Sequence, residues 1–497
     1  MGRHRGRHAD PFPSKRRETH CGKKNEDREN LTREFQGLWA KCRPAFSQQR
    51  CWRKAGELAM CNLISFGRHT VTGMLSAAGR HDVDWSAAYR LFERRRVNIG
   101  AMFETPLKEV IDSLSPESPV VGAIDDTQLR KTGKRVYGTA WRRDPLGPKF
   151  NTNFVWAQRW LQISIALPEA NGRCRAIPVD FHHCPSARKP GRKAESGEIA
   201  EYRKQRKAMA MPLQAVARLG KLRGLVPAER RLIISGDGAY TNRTVCRGLP
   251  LNTVFLGRIR KDARLFAPPD ETMARGRRRI YGQTLPTPEE IRQDEQTGWR
   301  EVNATTGDKT HVFKIKTMNM VRSKIAGEKD LKLIIVQPLR YRLSAKSKLL
   351  YRDPAYIIST DPELDDEKIL QWYLWRWEIE LNFRDEKSIF GIDESMVRTK
   401  NAVETLSPFI VSSYAMLLLA GGKTIGEDKT KLLVPKWRRP NSISRPSTNH
   451  YLSRMRQEML QMSNKNNFDG FKENSLHSQN TFLFMPNIQA AVISASR

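Results

Sequence analysis

Asp361–Gly391 reads DPELDDEKILQWYLWRWEIELNFRDEKSIFG. Asp361 can cap free backbone N–H groups, and Pro362 suits the first helical position, so a helix is expected to start there. Neither Pro nor Gly interrupts the run until Gly391, a natural C-terminal stop. At about 100° per residue, Tyr373, Arg376, Glu380 and Lys387 fall within about 60° of one another. Leu370, Leu374, Trp377 and Leu381 lie round to one side as an apolar stripe.

A row of charge on a helix is ordinarily a solvated face, here with Arg376–Glu380 and Glu380–Arg384 pairs at four-residue spacing. Two features argue for chemistry instead. Trp372, Trp375 and Trp377 crowd a face that would otherwise meet only water. Glu380 is flanked by cations, which hold it ionised. An ionised carboxylate beside Arg, Lys and a phenol suits a metal-dependent phosphodiester site, where the carboxylate holds the cation and the basic groups hold phosphate.

The spacing Tyr373-x2-Arg376-x3-Glu380-x6-Lys387 resembles the Tyr-Arg-Glu-Lys signature of bacterial insertion-sequence transposases of the DDE superfamily, whose catalytic core is ribonuclease-H-like. The resemblance implies two further carboxylates upstream, each at the end of a strand. It rests on motifs between about residues 118 and 400.

The remaining composition agrees. A chain of 497 residues is long enough for several modules, and 39% hydrophobic residues suffice for real cores. Eighty-seven basic against 53 acidic residues give a net charge of +34, which opposes compaction unless a polyanion answers it. Nucleic acid is the first candidate and an anionic membrane the second. The opening MGRHRGRHADPF lacks the apolar core of a signal peptide. Seven cysteines without a CxxC pair point to free thiols in a reducing compartment. His182-His183-Cys184 reads as structural, because adjacent residues rarely converge on one zinc.

In order, residues 1–30 form a basic, apolar-poor arm. Residues 31–115 read as helical; a DNA-reading helix-turn-helix and an all-helical lid with a basic face are both open, and the resemblance favours DNA binding. SPVVGAIDD, residues 118–126, is a buried strand ending in two carboxylates. The resemblance, through Asp126-Thr127, implies Asp126 as the first catalytic acid. On a strand Asp125 points to the opposite face, and a one-residue change of register would exchange the two. Further strands, a helix at about 198–222 kinked at Pro212, and RLIISGDG follow; Asp237-Gly-Ala-Tyr240 fits the family's second acid. Thus 116–250 and 359–424 are the two parts of the expected core. Between them, 251–358 is expected as a β-rich insertion domain, in which Trp299 reads as core. SPFIVSSYAMLLLAGG reads as an apolar core helix of roughly fifteen residues, short for a bilayer. Residues 425–497 read as a loosely ordered basic tail.

The expected fold is therefore multidomain α/β: a ribonuclease-H-like mixed sheet flanked by helices, with a β-rich insertion and an α-helical N-terminal domain. The resemblance implies a cytoplasmic bacterial DNA transposase. Asp126, Asp237 and Glu380 would hold two Mg²⁺ or Mn²⁺ ions, since oxygen-only ligands favour these over zinc. Tyr373, Arg376, Lys387 and Trp377 would contact DNA. The partners implied are terminal inverted repeats and target DNA, with a homodimer in the DNA complex and no membrane. The alternative is a non-catalytic DNA-binding regulator of transposase descent, which needs no carboxylates.

Overall fold

The computed structural model describes residues 30–469 apart from 146, 149, 270–277, 308, 343–346, 427, 429, 431 and 433–444. The expected arm, up to residue 29, and residues 470–497 of the expected tail lie outside the described residues. The chain opens with α1 (Leu31–Lys41), α2 (Gln49–Ile64), α3 (Val71–Ala77), α4 (Ser86–Glu93) and α5 (Ile99–Ser113). Then come β1 (Val120–Arg130), β2 (Ala140–Arg143), β3 (Phe154–Pro168), β4 (Cys174–His183), α6 (Ser196–Ala208), α7 (Met211–Leu225), β5 (Leu232–Gly236), α8 (Arg243–Arg247) and β6 (Thr253–Arg258). β7 (Leu265–Phe266), β8 (Thr284–Leu285), α9 (Pro288–Gln293), β9 (Arg300–Thr306), β10 (Lys309–Val321), β11 (Leu331–Val336), β12 (Arg340–Tyr341), β13 (Leu350–Tyr351) and β14 (Ala355–Ser359) follow. The chain continues through α10 (Asp366–Trp375), α11 (Glu378–Ser388), α12 (Lys400–Thr424) and α13 (Thr448–Asp469).

Ten strands form one mixed sheet in the order β2-β3-β1-β5-β6-β14-β11-β10-β9, with β4 also on β3. β1, β5 and β6 are mutually parallel; β3 runs antiparallel to them, and β4, antiparallel to β3, runs in their direction. That arrangement, with helices on both faces, is the ribonuclease-H-like mixed sheet expected. The surprise lies in 251–358. Its strands β14, β11, β10 and β9 pair onward from β6, so they widen the core sheet instead of folding apart. β11 shows why: LKLIIV is buried along its whole length, as a strand covered on both faces must be. Trp299 packs at the margin of the core, with the Lys316 ammonium 4.7 Å from its ring centroid.

The two faces of the sheet have separate cores. Val121, Ile233, Val254, Leu256 and Ile357 face Ile369 and Leu370 of α10. Val120, Ile124, Leu232 and Ile234 belong to the larger core, which also takes in α1–α5 and α12. The N-terminal helices therefore do not form a separate module: α1, α2, α4 and α5 wrap α12. α12 is 25 residues long, against roughly fifteen expected, and is long and apolar enough to cross a membrane, but nearly all of its apolar stretch is buried within the protein. Pro212 does not kink one helix. It sits in the first turn of α7, where its missing N–H costs nothing, and α6 ends before it. The tail also turns back. In α13, Glu458 is buried and accepts from the Leu31 and Thr32 N–H groups (3.1 and 2.9 Å) and the Thr32 hydroxyl. A carboxylate over the first turn of α1 satisfies orphan donors and complements the helix dipole, worth about 0.3–2 kcal/mol.

One carboxyl is placed at a cost. Glu386 of α11 is fully buried beside Gln162 of β3, whose side chain only partly offsets the loss of water. Burial pushes its pKa from 4.5 up to about 8. The folded state thus holds this proton more tightly than the unfolded one. Its contribution is fully present below pH 4.5 and is lost as pH rises through about 8. Glu386→Gln is expected to remove that loss, a gain of a few kcal/mol at pH 9 and little at pH 4. Thermal unfolding of both proteins at the two pH values checks it; equal differences at both would refute the burial argument.

Candidate active site

The site forms where β1 and β5 run side by side. Their parallel register pairs Val120 with Leu232 and Ile124 with Gly236. One step further, Asp125 comes level with Asp237, and level residues of parallel neighbours share a face. Gly236 is required here: a Cβ on it would stand 2.8 Å from the Phe255 ring. Asp237 then folds its Oδ1 back onto the Ala239 N–H at 2.8 Å, fixing the turn after β5.

The third carboxylate arrives from the Asp361–Gly391 stretch, though not as one continuous helix. Asp361 caps no helix. It pairs with Arg231, its Oδ1 accepts from Glu363 N, and the helix begins at Asp366 under an Asp365 cap. α10 and α11 meet at Arg376–Trp377, where the bonds run i to i+3: Arg376 N to Tyr373 O, Ile379 N to Arg376 O, and Glu380 N to Trp377 O. These are tight 3₁₀-type turns, and Trp377 has the matching ψ of −26°. Gly391, with φ +53°, ends the run as expected.

Arg376 binds the site together. Its Nη1 lies 3.2 Å from Asp125 Oδ2 and its Nη2 lies 3.2 Å from Glu380 Oε1. The Tyr373 ring centroid lies 5.9 Å from the same guanidinium. Burial, and then the charge of Asp237, push Asp125 from 3.8 up to about 7. Burial also raises Glu380 against the lowering pull of Arg376, with Asp237 adding to the rise. The charge of Asp237 thus reaches both Asp125 and Glu380. Arg258, at the end of β6, adds its positive field at Tyr373.

Asp126 is on the other face. Arg159 holds it in a fork, Nε to Oδ2 at 2.7 Å and Nη2 to Oδ1 at 2.9 Å, and the Tyr240 hydroxyl donates to Oδ1 at 2.8 Å. The structure thus brings Asp237, Glu380, Arg376 and Tyr373 together with Asp125, and leaves out Asp126, the acid expected from the sequence. The reason is strand alternation. A usable signal was in the chain: aligning VVGAI with LIISG sets Asp125, not Asp126, against Asp237. Lys387 sits two turns beyond Glu380, half-buried, with Glu386, Asp393 and Arg130 as its charged neighbours. Trp377 is 58% exposed and points outward. His182 and His183 are packing residues, His182 against Gln214 and His183 against the Trp160 ring.

A cavity of about 1130 Å³ opens beside Gly238, and Arg258, Arg260, Lys261, Arg264, Arg292 and Lys324 are among its walls. No local motif announces it, because the six cations come from β6, its following loop, α9 and the β10–β11 connection.

Hard oxygen ligands are what Asp125, Asp237 and Glu380 offer, and the unfavourable charge of Asp125, buried and facing Asp237, is what a divalent cation would relieve. Among the described residues no three acidic, His or Cys side chains close into a ready-made cage. Arg376 stands between Asp125 and Glu380 instead. The donor set fits a divalent ion; the guanidinium shares its place.

A ribonuclease-H-like sheet with two acids level at adjacent parallel strand ends and a third on a helix is the framework of a metal-dependent polynucleotide-cutting protein. Residues 44–323, more than half of the chain, match the family described as DDE superfamily endonuclease. The chain belongs to that family. The match takes in Asp125, Asp126 and Asp237 and stops before Glu380. Among curated proteins, none matches this sequence.

Proposed function

We propose that the chain is a DNA transposase that cleaves the ends of its own element and joins the freed 3′-OH to target DNA. The observation that carries this reading is Asp125 level with Asp237 on the parallel pair, with Glu380 tied to Asp125 through Arg376. Asp125 takes the place first expected of Asp126, whose carboxylate is engaged by Arg159. Asp125, Asp237 and Glu380 would hold Mg²⁺ or Mn²⁺. Such ions, when bound, activate the attacking oxygen and stabilise the leaving one. Arg376 would pass from its two carboxylates to the scissile phosphate, since a guanidinium fits phosphate in the same fork. Tyr373 would donate to a non-bridging oxygen, and Lys387 would grip the backbone further along α11. The basic cavity beside Gly238 supplies a path for the strand on the β6 side. Terminal inverted repeats are the DNA expected, bound by a pair of protomers.

The test uses the purified chain and duplex DNA carrying the sequences that flank its gene. With Mg²⁺, cuts leaving a 3′-OH are expected at the element ends; with EDTA, DNA should remain bound and uncut. Binding without cutting at any Mg²⁺ or Mn²⁺ concentration would replace this reading with the non-catalytic regulator.

A further inference from the structure

On the other side of the site from the basic cavity, β2 and β3 project as a hairpin. The register pairs Trp141 with Trp156 and Arg143 with Phe154. Paired residues of an antiparallel ladder share a face, so Trp141, Trp156, Phe154 and Arg143 form one patch. Along β3 the same face carries Gln158, Trp160 and Gln162, and Gln162 pairs with Asp125. The hairpin patch and the first carboxylate therefore lie on one face of the sheet, six residues apart along β3, about 20 Å.

The patch is wet and rigidly founded. Trp141 is 68% exposed and Phe154 55%. Trp156 is half-buried, its indole N–H donates to Gly133 O at 3.2 Å, and Trp141 stands edge-on to it at 5.5 Å. Single exposed aromatics are ordinary, but a cross-strand group of them on one ribbon is not. Self-association would bring together two copies of a surface bearing Arg143 on a chain of net charge +34. A nucleic-acid strand answers both halves of the patch: bases stack on the rings, and phosphates meet the cations.

We propose that the β2–β3 hairpin is a stacking platform for unpaired bases of the DNA strand, with Trp141 and Phe154 as its two surfaces. At the stacked rise of about 3.4 Å per nucleotide, Trp141 and Phe154, six and eight residues along β3 from Gln162, would meet bases roughly six to eight positions from the scissile phosphate. This rests on the proposed function, and its test is arranged to separate the two.

Binding is measured in EDTA, so cleavage plays no part, using the full chain and the double variant W141A/F154A. One probe is a blunt duplex of the element end; the other carries an eight-nucleotide single-stranded tail containing 2-aminopurine. Wild type is expected to favour the tailed DNA by roughly tenfold or more, with quenched 2-aminopurine fluorescence. The variant should lose the preference and the quenching while binding blunt duplex as before. Equal affinity of wild type for both probes overturns the platform alone. So does a variant that binds both probes equally worse, or one that keeps the preference but changes from dimer to monomer by light scattering, which would mark the hairpin as a contact between copies. Failure of wild type to bind either DNA overturns the proposed function and the platform with it.

Discussion

Asp125→Asn is expected to lower DNA cleavage on the order of a thousandfold, while Asp126→Asn leaves the rate per folded molecule within about tenfold. The two acids are neighbours in the chain and opposites in environment. Asp125 is desolvated, faces Asp237 and shares Arg376 with Glu380. Removing its charge removes a ligand but relieves repulsion, so thermal stability should hold or rise. Asp126 is spent on structure, forked to Arg159 and bonded to Tyr240. Its amide would strand a guanidinium. A fully buried partner would lose about 3–5 kcal/mol; the 32% exposure of Arg159 reduces that to roughly 2–3. Cleavage rates and unfolding midpoints of the two variants, measured side by side, decide it. A dead Asp126→Asn beside an active Asp125→Asn would reverse the assignment.

Glu380→Gln should be as damaging to cleavage, by on the order of a thousandfold, and nearly silent in DNA binding. The amide keeps the shape of the side chain, which is only half-buried, and can still accept from Arg376 Nη2, now 3.2 Å from Glu380 Oε1. It cannot supply the charge a divalent ion needs. Arg376 would keep Asp125 as an anionic partner, so the joint between α10 and α11 should survive. Single-turnover cleavage and gel-shift affinity on the same preparation separate the roles. Undiminished nicking would remove Glu380 from the chemistry, and loss of binding together with cutting would make it a folding residue.

How much of this could be read from the chain depended on range. The Asp361–Gly391 stretch announced itself because four residue types recur at helical offsets, and Asp237 because an apolar strand delivers it between glycines. The choice between Asp125 and Asp126 turned on which face of β1 meets α10, a tertiary fact. The short motif Asp126-Thr127 singles out the neighbour of the acid that the register sets level with Asp237. The extent of the sheet was hidden for a similar reason. β6 and β14 each look like isolated strands; β6 joins β5 in parallel, and the pairing of β14 with β6, Ile357 with Arg258 and Ser359 with Leu256, carries the rest of 251–358 onto the core sheet. The breadth of the apolar face on α12 was visible, but not that α1, α2, α4 and α5 would cover it. Nothing local marked Glu458 as the cap of a helix at the other end of the chain.

That cap has a consequence for how the protein is made. During synthesis α1 emerges well before α12 and α13, so it has neither α12 to pack against nor Glu458 over its first turn until those helices have been made. Trp39 finds Phe35 and Phe46 early, but the face it turns to Phe409 stays open until α12 has been made. Nascent chains that stop before α13 would carry Asp125, Asp237 and Glu380 on an unsealed helical layer, open to proteases and chaperones.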